Sequence, residues 1–206
     1  MVDTMRKIML TGCLLLAGAC MAQTVEWTFN TEAMPQSPTL YPNTEKPSGV
    51  VVAADKTLSL LEGSGKAVWT VSLDKAIITP ATVADLDGDG RAEILVGLLD
   101  ARVVCLENTG KTEWSVSLKS GAEGLGILVA ADIHPYKGVE VLAGHQGGWL
   151  YCLNVRGEIL WRFYGDTFRV GTPAVGDVDG DGFAEIVYGT DNGNIYCLNG
   201  LGEVKW

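Results

Sequence analysis

Two stretches, Asp85-Leu-Asp-Gly-Asp-Gly-Arg-Ala-Glu93 and Asp177-Val-Asp-Gly-Asp-Gly-Phe-Ala-Glu185, carry the same acidic pattern. Each places carboxylates at the first, third, fifth and ninth positions of a loop that contains two glycines. Carboxylates held this close repel one another unless a cation lies among them, and Ca²⁺ binds oxygen ligands in flexible loops. The carbonyl oxygen at the seventh position can complete the shell. The pattern predicts Ca²⁺ bound by Asp85, Asp87, Asp89, Arg91 and Glu93, and by Asp177, Asp179, Asp181, Phe183 and Glu185.

These loops are not EF-hands, because the twelfth position is Val96 in one and Tyr188 in the other instead of glutamate. The residues after each glutamate are β-branched or apolar, which predicts a strand. The ion is therefore expected in a turn between strands, with no flanking helix. The alternative is an ordinary Asp/Gly turn without metal, since both residue types are common in turns. The repetition of the spacing favours calcium.

The loops belong to a longer repeat that ends in tryptophan. Four glycines are each followed four residues later by a tryptophan, at Gly65–Trp69, Gly110–Trp114, Gly157–Trp161 and Gly202–Trp206. The tryptophans are about 45 residues apart, a spacing in the range of four-stranded propeller blades. Short strands and glycine turns at regular spacing indicate an all-β fold. We therefore predict a β-propeller of four-stranded blades, with about four blades present.

The repeat divides residues 23–206 into units, which we place at 31–73, 74–118, 119–165 and 166–206. Residues 25–29 match the outer strands of later units and precede the first complete unit, so we predict a stray outer strand there. This leaves one outer strand too many for a closed ring of four. We expect the N-terminal part of a larger propeller, and a self-contained array of four units with an open edge is the alternative.

Residues 79–94 and 172–186 resemble FG-GAP (integrin-α-type) propeller repeats, and the Gly-x-x-x-Trp ends resemble bacterial PQQ-like propellers. The first resemblance implies Ca²⁺ binding on one propeller face. The second implies that each tryptophan packs between neighbouring blades. The third unit departs from the pattern, because His134 and Tyr136 replace the middle acids and Lys137 adds a positive charge. Residues 41–47 of the first unit keep almost nothing of it, so we expect metal in two units of four.

The N-terminus has the form of a secretory signal peptide over residues 1–22, with Arg6-Lys7 before an apolar run. The run is too short to span a membrane. Two processing routes stay open as alternatives. In one, the chain is cleaved before Cys20 and Cys20 is lipidated. In the other, the chain is cleaved after Ala22 and carries no lipid. Either predicts an exported protein, periplasmic, on the cell surface or extracellular, that contacts a membrane only through a lipid anchor. A net charge of -10 argues against a nucleic-acid partner.

Cys105, Cys152 and Cys197 occupy the same position in successive units. Equivalent points of adjacent blades are expected to be too far apart for a disulfide, so we predict three free, buried thiols. Because an exported protein is exposed to an oxidising compartment, a disulfide among these cysteines is the alternative. The two histidines, His134 and His145, are not paired with any cysteine cluster, so no zinc site is predicted.

The sequence contains no Ser/His/Asp or Cys/His arrangement and no carboxylate pair outside the metal loops, so we assign no catalytic residues. The first hypothesis is an exported, non-catalytic, calcium-stabilised scaffold for an unidentified protein or glycan, bound by loops on one face. Trp149, Tyr136 and Tyr164 are candidate contact aromatics, and a core or inter-blade role is the equally weighted alternative for each. The alternatives are the N-terminal part of a propeller enzyme, either a quinoprotein dehydrogenase or a polysaccharide-active enzyme, and a lipid-anchored envelope assembly factor.

Overall fold

The computed structural model describes residues 26–42, 49–118, 124–133, 138–165 and 170–206. The signal peptide, Cys20, His134, Tyr136 and Lys137 lie outside these ranges. The described residues form fifteen β-strands, and among them there is no helix long and apolar enough to cross a membrane. The strands are β1 Thr39–Tyr41, β2 Gly49–Ala54, β3 Thr57–Leu61, β4 Ala67–Ser72, β5 Thr82–Ala84, β6 Glu93–Gly97, β7 Arg102–Leu106, β8 Thr112–Ser117, β9 Leu125–Ala131, β10 Glu140–His145, β11 Trp149–Leu153, β12 Ile159–Tyr164, β13 Ala174–Gly176, β14 Glu185–Gly189 and β15 Ile195–Leu198.

The strands form four antiparallel sheets in chain order, β1–β4, β5–β8, β9–β12 and β13–β15. The fourth sheet also has an outer segment, because the N–H of Cys197 donates to the carbonyl of Trp206 and the N–H of Lys205 donates to the carbonyl of Cys197. Among the described residues no strand pairing joins the fourth sheet to the first, so the array does not close into a ring. The prediction of an all-β array of about four propeller blades is confirmed.

The third and fourth strands of the blades repeat one register. In each of the first three sheets a β-bulge interrupts the pairing just before the outer strand's tryptophan. The bulge places that tryptophan opposite the same strand position in every sheet. The cross-strand pairs are Leu60 with Trp69, Cys105 with Trp114, and Cys152 with Trp161.

The core lies between successive sheets rather than within any one of them. Strand β6 is buried along its whole length, because both faces of its sheet are covered and its side chains alternate between them. Ile94 packs into the cluster shared with the first sheet, and its neighbour Leu95 packs into the cluster shared with the third. The outer strands β4 and β8 instead alternate half-buried and exposed residues. Each blade therefore depends on its neighbours for burial.

Each outer-strand tryptophan also contacts the glycine turn of the next sheet. Nε1–H of Trp69 donates to the carbonyl of Asn108 at 2.8 Å. Gly110, in the same turn, has φ = 83°, and a Cβ built there would lie 2.9 Å from the ring of Trp69. The inter-blade packing implied by the resemblance is confirmed. The same donor–acceptor contact joins Trp114 to Val155 and Trp161 to Gly200.

The predicted stray strand differs from the structure. Residues 26–30 belong to no strand, and Val25 lies outside the described residues. A strand needs a neighbouring sheet edge for its backbone hydrogen bonds, and the first sheet already has its four strands. Trp27 nevertheless makes the tryptophan contact, donating to the carbonyl of Gly63 at 2.9 Å with its ring against Gly65.

The three strand cysteines are free and buried, as predicted. Cys105 lies in the cluster between the second and third sheets, and Cys152 in the cluster between the third and fourth. Burial raises the pKa of Cys152 to about 12. It also raises the pKa of Cys105 and of Cys197 above the ordinary thiol range.

Candidate metal centre

The first acidic loop connects β5 to β6 and is curled by its own first carboxylate. Asp85 accepts hydrogen bonds from the N–H groups of Gly88 at 2.8 Å and Gly90 at 2.9 Å. Both glycines have positive φ, 79° and 87°, a conformation that glycine adopts without steric penalty. The backbone is therefore bent around the space between the acids.

The remaining acids of the first loop converge on the same space. Glu93, which begins β6 and is buried, accepts a hydrogen bond from the N–H of Leu86 at 2.9 Å. One oxygen each of Asp85, Asp87 and Glu93 lies within 4.8 Å of the others. The side chain of Asp89 instead accepts the N–H of Arg91 at 2.8 Å. The structure thus brings three of the four predicted carboxylates into one group and holds Asp89 at its rim.

The second loop, between β13 and β14, repeats this arrangement. Asp177 accepts the N–H groups of Gly180 at 2.7 Å and Gly182 at 2.9 Å. Its group within 4.8 Å consists of Asp177, Asp179 and Glu185. Asp181, like Asp89 in the first loop, accepts a local backbone N–H, that of Phe183 at 2.9 Å. Two segments far apart in the chain therefore build the same cradle.

The third unit keeps the backbone contact of the trailing glutamate, although its sequence lacks the middle acids that are predicted to bind metal. Glu140 is fully buried and accepts the N–H of Ile133 at 2.8 Å, as Glu93 accepts that of Leu86 in the first loop. This contact fixes the entry of the loop and requires no ion. Burial raises the pKa of Glu140, and the charge of Asp132 adds to the effect. The trailing glutamate alone is therefore weaker support for calcium than the sequence suggested.

A residue that sequence reasoning missed borders the first loop. Glu113 of β8 lines the same cleft as Asp87, Asp89 and Glu93. Burial raises the pKa of Glu93, the N–H of Leu86 opposes this, and the charges of Asp87 and Glu113 raise it further. Negative charge is thus concentrated beside a buried carboxyl. The only signal of Glu113 in the sequence is its position directly before the repeated tryptophan, Trp114.

The second loop already contains a cation from the chain itself. Nζ of Lys205 donates to Asp179 and, at 3.0 Å, to Oε1 of Glu185, and it lies 3.7 Å from Asp181. The hydrogen bond from Lys205 holds the pKa of Asp179 below its usual range. Sequence reasoning missed this residue as well, because it is 20 residues from Glu185 along the chain.

The donor set of both loops fits a hard divalent cation. Each group offers carboxylate oxygens alone, which suit Ca²⁺ and Mg²⁺ rather than metals that prefer nitrogen or sulfur. The hydrogen bonds that Asp85 and Asp177 accept hold each loop curled around its carboxylate group. The convergence of three carboxylates in each loop is suited to holding a cation.

Two of the three candidate contact aromatics lie together on the third sheet. The rings of Trp149 and Tyr164 are cross-strand partners with centroids 5.0 Å apart. The guanidinium of Arg162 lies 4.8 Å from the centroid of the Trp149 ring. Tyr164 is about half exposed, so this aromatic pair presents one open ring.

Two family models match separate parts of the chain. Residues 50–122 match the lambda-carrageenase beta-propeller domain, and residues 170–204 match the FG-GAP repeat. The Lambda-carrageenase of Pseudoalteromonas carrageenovora is 25% identical over 65% of this chain and 13% of its own length. A Lambda-carrageenase of a Pseudoalteromonas species is 32% identical over 54% of this chain and 11% of its own length. The chain therefore spans only a small part of the curated relatives it matches.

Solved structures share the fold at low sequence identity. A chain of the BBS1N complex with ARL6DN aligns with a TM-score of 0.64 and 14% identity, covering 84% of this chain and 54% of that one. BamB from Moraxella catarrhalis aligns with a TM-score of 0.58 and 17% identity, covering 84% and 50%. The sheet order, the repeated tryptophan contact and these matches agree on a β-propeller fold, in which residues 170–204 are similar to the FG-GAP repeat.

Proposed function

We propose that the two acidic loops bind Ca²⁺ and stabilise the blades that carry them. The observation that carries this proposal is the convergence of three carboxylates within 4.8 Å in each loop. In the first loop Asp85, Asp87 and Glu93 supply side-chain oxygens, and Asp89 and the carbonyl of Arg91 are the further ligands predicted from the sequence. In the second loop the corresponding residues are Asp177, Asp179 and Glu185, with Asp181 and the carbonyl of Phe183.

The proposed role of the ion is structural. Glu93 belongs to β6, whereas Asp85 and Asp87 belong to the loop before it, so a shared ion ties the loop to the strand. Burial raises the pKa of Glu93 and the neighbouring carboxylates add to it, and a bound cation would offset the charge of those carboxylates. An ion that binds only the folded chain adds RT ln(1 + [L]/Kd) to its stability.

Calorimetric titration of the metal-free protein with CaCl₂ tests this proposal. We expect two sites in the wild type, and one site each in Asp87→Asn and Asp179→Asn. Asp191→Asn is the matched control, because Asp191 is an exposed turn aspartate outside both groups. No calcium binding in the wild type, or two sites remaining in both loop variants, would contradict the proposal.

We further propose that the exported protein serves as a non-catalytic scaffold that binds a glycan. The support is the similarity to two Lambda-carrageenases, whose name states action on lambda-carrageenan. The half-exposed ring of Tyr164, which packs beside Trp149, supplies an aromatic surface of the kind on which sugar rings stack, and Arg162 adds a donor nearby. Of the two partner classes predicted from the sequence, glycan is therefore favoured over protein.

Affinity electrophoresis in gels containing lambda-carrageenan tests the scaffold role. We expect retardation that is reduced in Trp149→Ala/Tyr164→Ala and retained in Leu40→Ala, which removes an exposed apolar side chain on the first sheet. Dextran and alginate gels report binding to neutral and to other acidic polysaccharides. Equal mobility with and without lambda-carrageenan would contradict this choice of ligand.

A second candidate is the propeller segment of a polysaccharide-active enzyme. The match of residues 50–122 to the beta-propeller domain of lambda-carrageenase favours it. Incubation of the chain with lambda-carrageenan distinguishes the two candidates. Release of reducing ends would support the enzyme, and binding without release would support the scaffold.

A further inference from the structure

The outer strands bring opposite charges to the two acidic loops. Glu113 directly precedes Trp114, and Lys205 directly precedes Trp206. Trp114 pairs with Cys105, and the backbone of Trp206 is hydrogen-bonded to Cys197, so the two outer segments have the same register. The charge beside each loop is therefore set by one equivalent position of the repeat.

At the first loop this position adds a carboxylate. Glu113 lines the cleft together with Asp87, Asp89 and Glu93. A divalent cation in this loop would be attracted by the group within 4.8 Å and by Glu113 in addition.

At the second loop the same position supplies a cation. The ammonium of Lys205 contacts two of the three carboxylates that make up the group, Asp179 and Glu185. The side chain of Lys205 is 28% exposed and that of Glu185 only 1%. This ion pair is therefore shielded from water on one side, where electrostatic interactions are stronger than at an open surface.

We propose that Lys205 is a tethered competitor for the cation of the second loop, so that the two loops bind Ca²⁺ with different affinities. This inference rests on the proposed calcium binding. Ca²⁺ must displace the ammonium before it can contact Asp179 and Glu185. The backbone of Lys205 remains paired with Cys197, so only its side chain has to leave. The first loop, flanked by Glu113, binds more tightly.

Variants with a single intact loop test the inference by calorimetric titration with CaCl₂. In the Asp87→Asn background only the second loop is intact, and Lys205→Met should tighten calcium binding on the order of tenfold. Lys205→Arg keeps the charge and should leave the affinity near that of the background. Lys56→Met, which removes an exposed lysine outside the described ion pairs, is the control.

The reciprocal change tests the first loop. In the Asp179→Asn background Glu113→Lys should weaken calcium binding on the order of tenfold or more, because it replaces an attracting charge by a competing one. Glu32→Lys makes the same charge change at an exposed residue away from both loops. Thermal melts of every variant without calcium establish that each is folded.

The outcomes separate this inference from the calcium proposal. If neither single-loop background binds Ca²⁺, the calcium proposal fails and the inference fails with it. If the Asp87→Asn background binds Ca²⁺ and Lys205→Met leaves the affinity unchanged, the inference alone is overturned. Equal affinities of the two loops in the wild type would also overturn it.

Discussion

The indole of Trp69 lies against Gly110 of the following sheet, and its Nε1–H donates at 2.8 Å to the carbonyl of Asn108 in the same turn. The acceptor is a backbone group and the contact surface is a glycine. The interaction therefore depends on backbone conformation and on the absence of a side chain, rather than on a matching side chain in the next blade.

Gly110→Ala should destabilise the protein by about 2–4 kcal/mol, since an L-residue at positive φ costs about 1–2 kcal/mol and the added Cβ overpacks the indole. The Cβ would lie 2.9 Å from Trp69. Urea unfolding measures the change. Gly193→Ala is the matched control, because Gly193 has φ = 86° with open space around its Cβ position. Equal losses in the two variants would contradict a packing role for Gly110.

Trp69→Phe should cost about 1 kcal/mol or more, because it removes the donor to Asn108 and part of the ring area. The free energy of unfolding in urea reports it. Trp206→Phe should change stability by less than about 0.5 kcal/mol, because Trp206 is 63% exposed. A Trp69→Phe variant as stable as the wild type would show that the N–H contributes nothing to the contact.

The period of the repeat was enough to predict the blades, because a tryptophan four residues after a glycine recurs about every 45 residues in all four units. The sequence also located both acidic loops, whose carboxylates are closely spaced along the chain. It did not reveal Lys205 or Glu113, because their approach to the loops depends on how the outer strand pairs with the strand before it. Nor did it predict that residues 26–30 lack a strand, since strand formation depends on a partner as well as on residue type.

Chelation of calcium should lower the melting temperature of the wild type. At a hundredfold excess of Ca²⁺ over its Kd, one site contributes about 2.7 kcal/mol. Scanning calorimetry with excess CaCl₂ and with excess chelator measures the difference. The shift should shrink in Asp87→Asn or Asp179→Asn and persist in Tyr136→Ala, a change in the loop of the third unit. Identical melts with and without chelator would exclude a stabilising ion.

Glu140→Gln should change the pH dependence of stability. Because burial raises the folded pKa of Glu140 above its unfolded value, the wild type loses stability as pH rises from about 4.3 through the folded pKa. Glutamine cannot ionise and keeps an acceptor for the N–H of Ile133. Relative to the wild type the variant should gain stability towards pH 7, and the gain should vanish below about pH 4.

Melts of both proteins across this pH range test the prediction, with Glu32→Gln as the exposed control. A constant difference between Glu140→Gln and the wild type at all pH values would mean that Glu140 does not titrate abnormally.

The strand thiols should react slowly in the folded protein. Cys152 is fully buried, and with a pKa of about 12 it forms almost no thiolate at pH 8. In a Cys13→Ser/Cys20→Ser background a disulfide reagent should label the three remaining cysteines only as the protein unfolds, and at once in denaturant. Mass spectrometry without reduction provides the second readout. A disulfide among Cys105, Cys152 and Cys197, or rapid labelling without denaturant, would contradict the buried assignment.

The contact between Trp69 and Gly110 also bears on how such chains can lengthen or shorten by gene duplication. Donor and acceptor belong to different blades but occur at fixed phases of one repeat of about 45 residues. Unequal crossing-over between any two equivalent points, whether in a loop or within a strand, therefore restores a tryptophan facing a glycine at the new junction. Insertions of a partial repeat break that phase, so whole-repeat changes are the ones that should survive selection.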